Sequence, residues 1–111
     1  MKLHSLLYPV QALDEELRFF ERGLGLTVKF RDGARYAALD GAALPIALAA
    51  AEERVAAQAA AVFRVADVPQ AVALLLAAGA TLLRPAERGP HEWRAVVASP
   101  NGHPLILTAK L

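Results

Sequence analysis

Apolar residues in the first half of the chain follow strand spacing, then helix spacing, then strand spacing again. The first apolar segment, Leu3–Val10, is predicted to be a strand. A helix is predicted next, because apolar residues recur every three or four positions at Leu13, Leu17, Phe20 and Leu24. Short apolar segments bounded by Asp-Gly turns then predict further strands at Leu26–Arg31, Ala34–Leu39 and Leu44–Ala49.

The second half repeats this order of elements. Ala60–Ala66 is predicted to be a strand, and Asp67 is predicted to cap a helix that carries Pro69 in its first turn. Turn residues then separate three more predicted strands, which are Thr81–Arg84, Trp93–Ala98 and Pro104–Thr108. The alanine-rich stretch Ala50–Ala59 between the halves is predicted to be a helical linker.

The repeated order predicts an α+β fold of two βαβββ modules, about residues 1–55 and about residues 56–111, in a single domain. One face of each sheet is expected to lie under its helix. We expect the strands to form a curved, incomplete barrel sheet with the helices outside. The concave side of such a sheet is a typical place for a small ligand.

Composition and charge narrow the choice of partner. The chain has 111 residues, of which 56% are hydrophobic, and its 12 basic and 11 acidic residues are mixed along the sequence. Such mixing argues against nucleic acid or an anionic membrane as the partner. The chain has no cysteine and no apolar run long enough to span a membrane, so we expect a cytoplasmic protein.

Four segments together resemble the vicinal oxygen chelate superfamily, which includes glyoxalase I, extradiol dioxygenases, and fosfomycin-resistance and bleomycin-binding proteins. The segments are Val10–Gly25, Arg35–Leu39, Phe63–Ala80 and Ser99–Leu107. The resemblance covers nearly the whole chain. It departs from the family pattern at Ala12 and at Ser99, since relatives typically have Asp at both positions.

The resemblance also implies where relatives bind a divalent metal. Their His and Glu ligands correspond to Ser5, Ala47, Ala60 and Ile106 in this chain. Divalent cations need imidazole, carboxylate or thiolate donors, and of these four residues only Ser5 offers even a weak one. His4 lies one position away, where strand alternation turns it to the opposite face. We therefore expect neither a metal nor another cofactor.

Arg64 is the most informative candidate for binding a ligand. It shares a predicted strand face with Ala60 and Val62, and an arginine on an apolar face suits an anionic ligand group. The alternative is an arginine whose stem crosses the sheet edge to reach water. On the opposite wall, Leu7 shares the face of Ser5.

Three further residues are candidates with open alternatives. Tyr36 either lines the cleft or belongs to the core. Trp93 offers a stacking surface and Arg94 offers a fork for a carboxylate or phosphate. Alternation places Trp93 and Arg94 on opposite faces, so only one of them can face the cleft, and the sequence leaves open which one. Glu52 and Glu53 are expected to be surface charges.

These observations favour a metal-free protein that binds a small, partly apolar or aromatic molecule carrying an anionic group. Sequestration of a toxic natural product or antibiotic, as in bleomycin-binding relatives, is the concrete form of this hypothesis. The resemblance implies either dimers or modules paired within one chain, and we expect a homodimer. The alternative is a lyase, isomerase or dioxygenase of the same superfamily that uses His4, His91, Glu92 or Tyr36 as acid–base groups.

Overall fold

The computed structural model describes residues 1–111. It contains two α helices and eight strands, in the order that the apolar spacing predicts. The strands are β1 (Lys2–Pro9), β2 (Thr27–Asp32), β3 (Tyr36–Asp40), β4 (Ile46–Ala49), β5 (Ala60–Arg64), β6 (Thr81–Arg88), β7 (Glu92–Ala98) and β8 (Pro104–Lys110). The helices are α1 (Leu13–Leu24) and α2 (Val68–Ala77). The predicted α+β class and the repeated βαβββ order are confirmed.

The chain forms two compact units. We call Ser5–Ala59 module one, and we call Ala60–Leu111 together with Met1–His4 module two. The strands of module one follow the order β2-β3-β4-β1, in which β1 and β4 are parallel and the other neighbours are antiparallel. Module two has the matching order β5-β8-β7-β6, with β5 and β8 parallel.

Helix α1 covers one face of the sheet in module one. Its buried residues Leu13 and Leu17 pack with Val10, Leu39 and Leu48. Leu39 and Leu48 have no exposed surface, so this cluster is the centre of the module-one core. Gly25 ends the helix in the left-handed conformation, with φ of 70°, that a residue after a helix commonly adopts.

Helix α2 covers one face of the sheet in module two. Val68 and Ala71 of the helix pack with Val65, Ala95 and Leu107. The Asp67 side chain accepts a hydrogen bond of 2.9 Å from the backbone N–H of Gln70, as the sequence predicts for a helix cap. Neither α1 nor α2 has the length and apolarity that a membrane-crossing helix requires.

Two predicted elements differ from the structure. The predicted helical linker is wrong, because only Ala51–Glu53 form a short 3-10 helix there. Strand β6 continues through Pro85 to Arg88, four residues beyond its predicted end. Proline is tolerated because β6 pairs with β7 alone in this module, and the register shifts on both sides of Arg84 accommodate it.

Candidate functional site

Each module has a sheet face that lies opposite its helix, which we call the helix-free face. In module one, Tyr8 of β1 and Val10, which directly follows the strand, join the α1 cluster, so Leu7 and Pro9 point to the other side. Ser5 shares that side because it lies two residues before Leu7. The paired residues across the sheet are Ala47 for Leu7 and Ala49 for Pro9. This part of the helix-free face is therefore lined by small apolar groups and one hydroxyl.

Tyr36 completes the helix-free face of module one. Its neighbour Ala37 belongs to the α1 cluster, whereas Tyr36 pairs with Ala49 of β4. The Tyr36 ring lies 6.1 Å from the ring of Phe30, centroid to centroid. Of the two alternatives for Tyr36, the structure therefore supports a position away from the helix-packed core.

The helix-free face of module two carries a row of polar side chains across four strands. Arg64 of β5 pairs with Thr108 of β8, Thr108 pairs with Arg94 of β7, and Arg94 pairs with Glu87 of β6. The residues beside them, Phe63 and Leu107, pack against α2. Alternation thus places all four polar side chains on one face, and we call them the polar row.

Apolar side chains form the next row on the same face. Val62 pairs with Ile106, and Ile106 pairs with Val96. All three are almost completely buried. The helix-free face of module two therefore combines an apolar strip with the polar row, which is the combination expected for recognising a partly apolar molecule with one polar group.

Arg94 is unusual because its charge is buried. It is only 8% exposed. Its Nε lies 3.4 Å from Oε1 of Glu87, while the same oxygen accepts a closer hydrogen bond of 2.6 Å from Nε of Arg84. This hydrogen bond from Arg84, aided by the positive charge of Arg94, lowers the pKa of Glu87 below its usual value. Glu87 therefore stays ionised between two arginines.

Two buried polar atoms in the polar row have no hydrogen-bond partner. They are Nε of Arg64 and Oγ1 of Thr108. Arg64 is partly exposed as a residue, whereas Thr108 is 4% exposed. A buried polar group without a partner typically costs about 1–3 kcal/mol of stability. A ligand atom that formed the missing hydrogen bonds would remove this cost.

Trp93 lies on the other face of β7. It pairs with Ala109, which belongs to the α2 cluster, and the indole is 41% exposed. A surface pocket of about 290 Å³ opens beside it near the start of α2. Arg94, and not Trp93, therefore shares a face with Arg64, and this answers the question that the sequence left open. A role for either residue in binding stays a prediction.

The four positions at which the family resemblance implies a metal all lie on helix-free faces. Ser5 and Ala47 belong to module one, and Ala60 and Ile106 belong to module two. All four are buried, with exposures of 6% or less. No three His, Asp or Glu side chains lie close enough together to hold a metal ion. One hydroxyl and three hydrocarbon side chains do not fit a divalent cation.

The sequence missed two members of the polar row, Thr108 and Glu87. Their signal was the alternation along β8 and β6, but the pairing between strands was needed to place them beside Arg94. The expectation for Glu53 was wrong, because this residue is 5% exposed. Glu52 is exposed as expected and forms a 2.8 Å ion pair with Arg35.

Comparison with known proteins gives a consistent result. The family model for the Glyoxalase-like domain matches residues 6–108. An uncharacterized protein of Mycolicibacterium smegmatis (strain ATCC 700084 / mc(2)155) is 37% identical over 111 residues, which cover 99% of this chain and 95% of that protein.

Two solved structures share the fold at low sequence identity. An NAD-dependent benzaldehyde dehydrogenase from Legionella pneumophila aligns with a TM-score of 0.80 and 16% identity, over 96% of this chain and 98% of that chain. A glyoxalase/bleomycin resistance protein/dioxygenase superfamily member from Vibrio splendidus 12B01 aligns with a TM-score of 0.70 and 16% identity, over 96% and 97% of the two chains. At this identity the likeness concerns the fold alone.

Proposed function

The chain belongs to the Glyoxalase-like domain family, and from this premise we propose that it binds a small, partly apolar molecule without a metal ion. One observation carries the proposal. The four positions at which the family resemblance implies a metal are Ser5, Ala47, Ala60 and Ile106, and these residues supply no imidazole, carboxylate or thiolate. Three of the four side chains are hydrocarbon, which does not replace the hydration of a divalent cation.

The helix-free faces provide the chemistry that such binding needs. Val62, Val96 and Ile106 are already almost completely buried, so the apolar contribution of about 25 cal/mol per Å² would come from the ligand's own surface removed from water, less the cost of ordering the ligand. Arg64 adds a positive charge for an anionic group on the ligand. Sequestration of a toxic natural product or antibiotic is the biological form of this proposal, because it requires affinity alone.

The test compares binding with and without metal. The protein is purified without chelator, and its zinc, manganese, iron and nickel are measured by mass spectrometry. Small aromatic molecules are then screened by saturation-transfer NMR in EDTA and again with each metal added. We expect substoichiometric metal and the same bound molecules in every condition. Stoichiometric, tightly held metal, or binding that appears only with metal, would overturn the proposal.

The alternative function is an enzyme of the same superfamily that replaces the metal with acid–base groups from His4, His91, Glu92 or Tyr36. The molecules found in the screen decide between the two. Each one is incubated with the metal-free protein and followed by NMR for loss of substrate or exchange of a C–H proton with solvent deuterium. An unchanged ligand supports binding alone, whereas turnover would establish catalysis.

We also propose that the protein is a cytoplasmic homodimer. At one end of the strand order in module one, β2 exposes Val28 and Phe30 by 41% and 47%, and exposed apolar groups of this kind commonly mark an interaction surface. Sedimentation velocity of the wild type and of Phe30→Lys measures the assembly. We expect a dimer that Phe30→Lys weakens, and a wild type that stays monomeric at every concentration would contradict the proposal.

A further inference from the structure

Resting on the proposed function, we infer that Arg64, Thr108 and Arg94 form a subsite for an oxyanion carried by the ligand. The subsite lies on the helix-free face of module two, at the polar row. It would hold a carboxylate or phosphate, while the apolar part of the ligand contacts the strip formed by Val62 and Ile106.

The register of three neighbouring strands brings these residues together. Arg64 and Arg94 each pair directly with Thr108, from β5 on one side and β7 on the other. Neighbouring strands are about 4.8 Å apart, so both arginine side chains are long enough to reach the space above Thr108. Arg64 and Arg94 therefore lie on either side of Thr108 in the sheet, and the Arg94 guanidinium lies beside Gly89 and Glu87.

The polar row holds more donors than acceptors. Nε of Arg64 is a donor only, and the Thr108 hydroxyl is a donor as well as an acceptor, yet both atoms are buried without a partner. Two carboxylates share this face: Glu87, whose Oε1 already accepts the hydrogen bond from Arg84, and Glu92, which lies two residues before Arg94. A ligand oxygen at this place would accept from both unpartnered groups at once. Its negative charge would also be stabilised by the arginines.

Arg94 is 8% exposed and lies between Glu87 and Gly89 before any ligand binds. Gly89 packs so closely that a Cβ at this position would lie 3.1 Å from three atoms of the Arg94 guanidinium. The backbone of Gly89 is itself fixed by a 2.8 Å hydrogen bond from its N–H to the carbonyl oxygen of Glu92. A side chain that is already ordered loses little freedom on binding, which favours affinity.

The experiment follows the Nε–Hε signal of Arg64 by nitrogen-15 NMR during titration with benzoate. Benzamide is the matched neutral probe, since it has the same ring and shape but no charge. We expect benzoate to shift the Arg64 signal saturably and to bind about tenfold more tightly than benzamide, because charge-assisted hydrogen bonds exceed neutral ones by roughly this factor. Phenyl phosphate, titrated in the same way, tells whether the subsite prefers a carboxylate or a phosphate.

Three variants test which residues cause the preference for benzoate over benzamide. Arg64→Lys keeps the charge but loses the Nε–H donor, and Thr108→Val keeps the shape but loses the hydroxyl, so each should reduce the preference for benzoate. Arg88→Ala is the control, because Arg88 is exposed and pairs with Trp93, which places it on the other face of the sheet. The control removes one positive charge from the other face of the sheet and should leave the preference intact.

The outcomes separate this inference from the proposed function. Equal affinity for benzoate and benzamide would overturn the subsite while leaving metal-free binding in place. A preference for benzoate that Arg88→Ala removes as strongly as Arg64→Lys would also overturn it, since that result indicates general surface charge. The absence of any Arg64 shift with benzoate at millimolar concentration overturns the subsite, and the saturation-transfer screen in EDTA then judges the proposed function separately.

Discussion

At the scale of single residues, the position of the Arg94 side chain depends on the absence of a side chain at Gly89. Gly89 has no side chain, and this absence leaves the space that the Arg94 guanidinium occupies. A methyl group at residue 89 would lie closer to the Arg94 guanidinium than ordinary van der Waals contact, so the arginine side chain would have to move. The movement would separate Arg94 from Glu87, whose oxygen is only 3.4 Å from Nε.

We therefore predict that Gly89→Ala displaces Arg94 and weakens benzoate binding, with a loss of stability of about 1 kcal/mol, which is typical of a crowded site. Gly23→Ala is the matched control. Gly23 lies inside helix α1, and no atom lies within 4 Å of the place that an alanine Cβ would take, so alanine should stabilise the protein by about 0.5–1 kcal/mol. Urea denaturation measures both. A Gly89→Ala protein that binds benzoate as the wild type does would contradict the predicted dependence.

The lowered pKa of Glu87 predicts a pH dependence of stability. The carboxylate is favoured in the folded protein by the hydrogen bond from Arg84 and by the charge of Arg94. Its contribution to the free energy of unfolding is therefore fully present above the ordinary pKa of glutamate, 4.5, and is lost as the pH falls through the lower folded value. Because Glu87 is 37% exposed, solvent screening keeps the contribution small.

The measurement compares wild type with Glu87→Gln by urea denaturation between neutral and acidic pH. We expect the difference in unfolding free energy to be largest near neutral pH and to shrink as the solution becomes acidic. Glu21→Gln controls for the removal of one exposed carboxylate. A difference that stays constant across the pH range, or one that grows in acid, would show that Glu87 is not stabilised by the two arginines.

At the scale of elements, the two helices begin in different ways. Helix α2 has Asp67 as its cap, whereas α1 begins after Ala12, which has no side chain able to accept a hydrogen bond from the first turn. Both cap positions have the extended backbone that a capping residue adopts, with φ of −144° at Asp67 and −118° at Ala12.

The shared backbone conformation predicts opposite effects for two substitutions. Asp67→Ala should destabilise the protein by about 1 kcal/mol, and Ala12→Asp should stabilise it by a somewhat smaller amount, because Asp14 and its acidic neighbours already occupy the first turn of α1. Thermal and urea denaturation measure both variants. Ala12→Asn supplies the same acceptor without charge, so stabilisation by Asn but not by Asp would identify repulsion in that turn.

The elements also show where apolar spacing fails. Helices α1 and α2 lie where predicted, because their spacing is read within one segment. The predicted linker helix depended on alanine content alone, and the chain instead makes a short 3-10 helix in which Glu53 is buried. Strand β6 runs past Pro85 because pairing with β7 along the neighbouring residues outweighs the missing N–H. In both the linker and β6, contacts with other parts of the chain determine the local structure.

At the scale of the whole molecule, the two sides of the module-two sheet should respond differently to a ligand. Trp93, the only tryptophan, lies on the side of α2 beside the 290 Å³ pocket. Arg64 lies on the helix-free side. A ligand bound at the polar row should therefore shift the Arg64 signal and leave the tryptophan emission nearly unchanged. This prediction separates binding at the polar row from binding in the pocket of Trp93.

The measurement titrates benzoate while recording Trp93 fluorescence and the Arg64 NMR signal in parallel. Trp93→Phe serves as the matched variant and should keep the affinity of the wild type. The opposite result has two parts: benzoate changes the emission saturably, and Trp93→Phe loses affinity. This result would place the ligand in the surface pocket, next to Lys110 and Asp67.

The sequence by itself determined the order of the elements, the face on which most strand residues lie, and the lack of metal donors at Ser5, Ala47, Ala60 and Ile106. The element order and the faces follow from the local periods of strand and helix, which need no knowledge of distant residues. Arg64 could be assigned to the face of Val62 for this reason. The four metal positions come instead from the family resemblance, and the residues found there are not metal donors.

Only the tertiary structure decided which side chains are neighbours. Thr108 stands between Arg64 and Arg94 because β8 pairs with β7 on one side and, on the other, with β5, which lies about 40 residues earlier in the sequence. The pairing of β7 with β8 placed Trp93 on the side of the helix, and the pairing of β6 with β7 placed Arg94 beside Glu87. A period of two assigns a side chain to a face, but pairing between strands determines its partner.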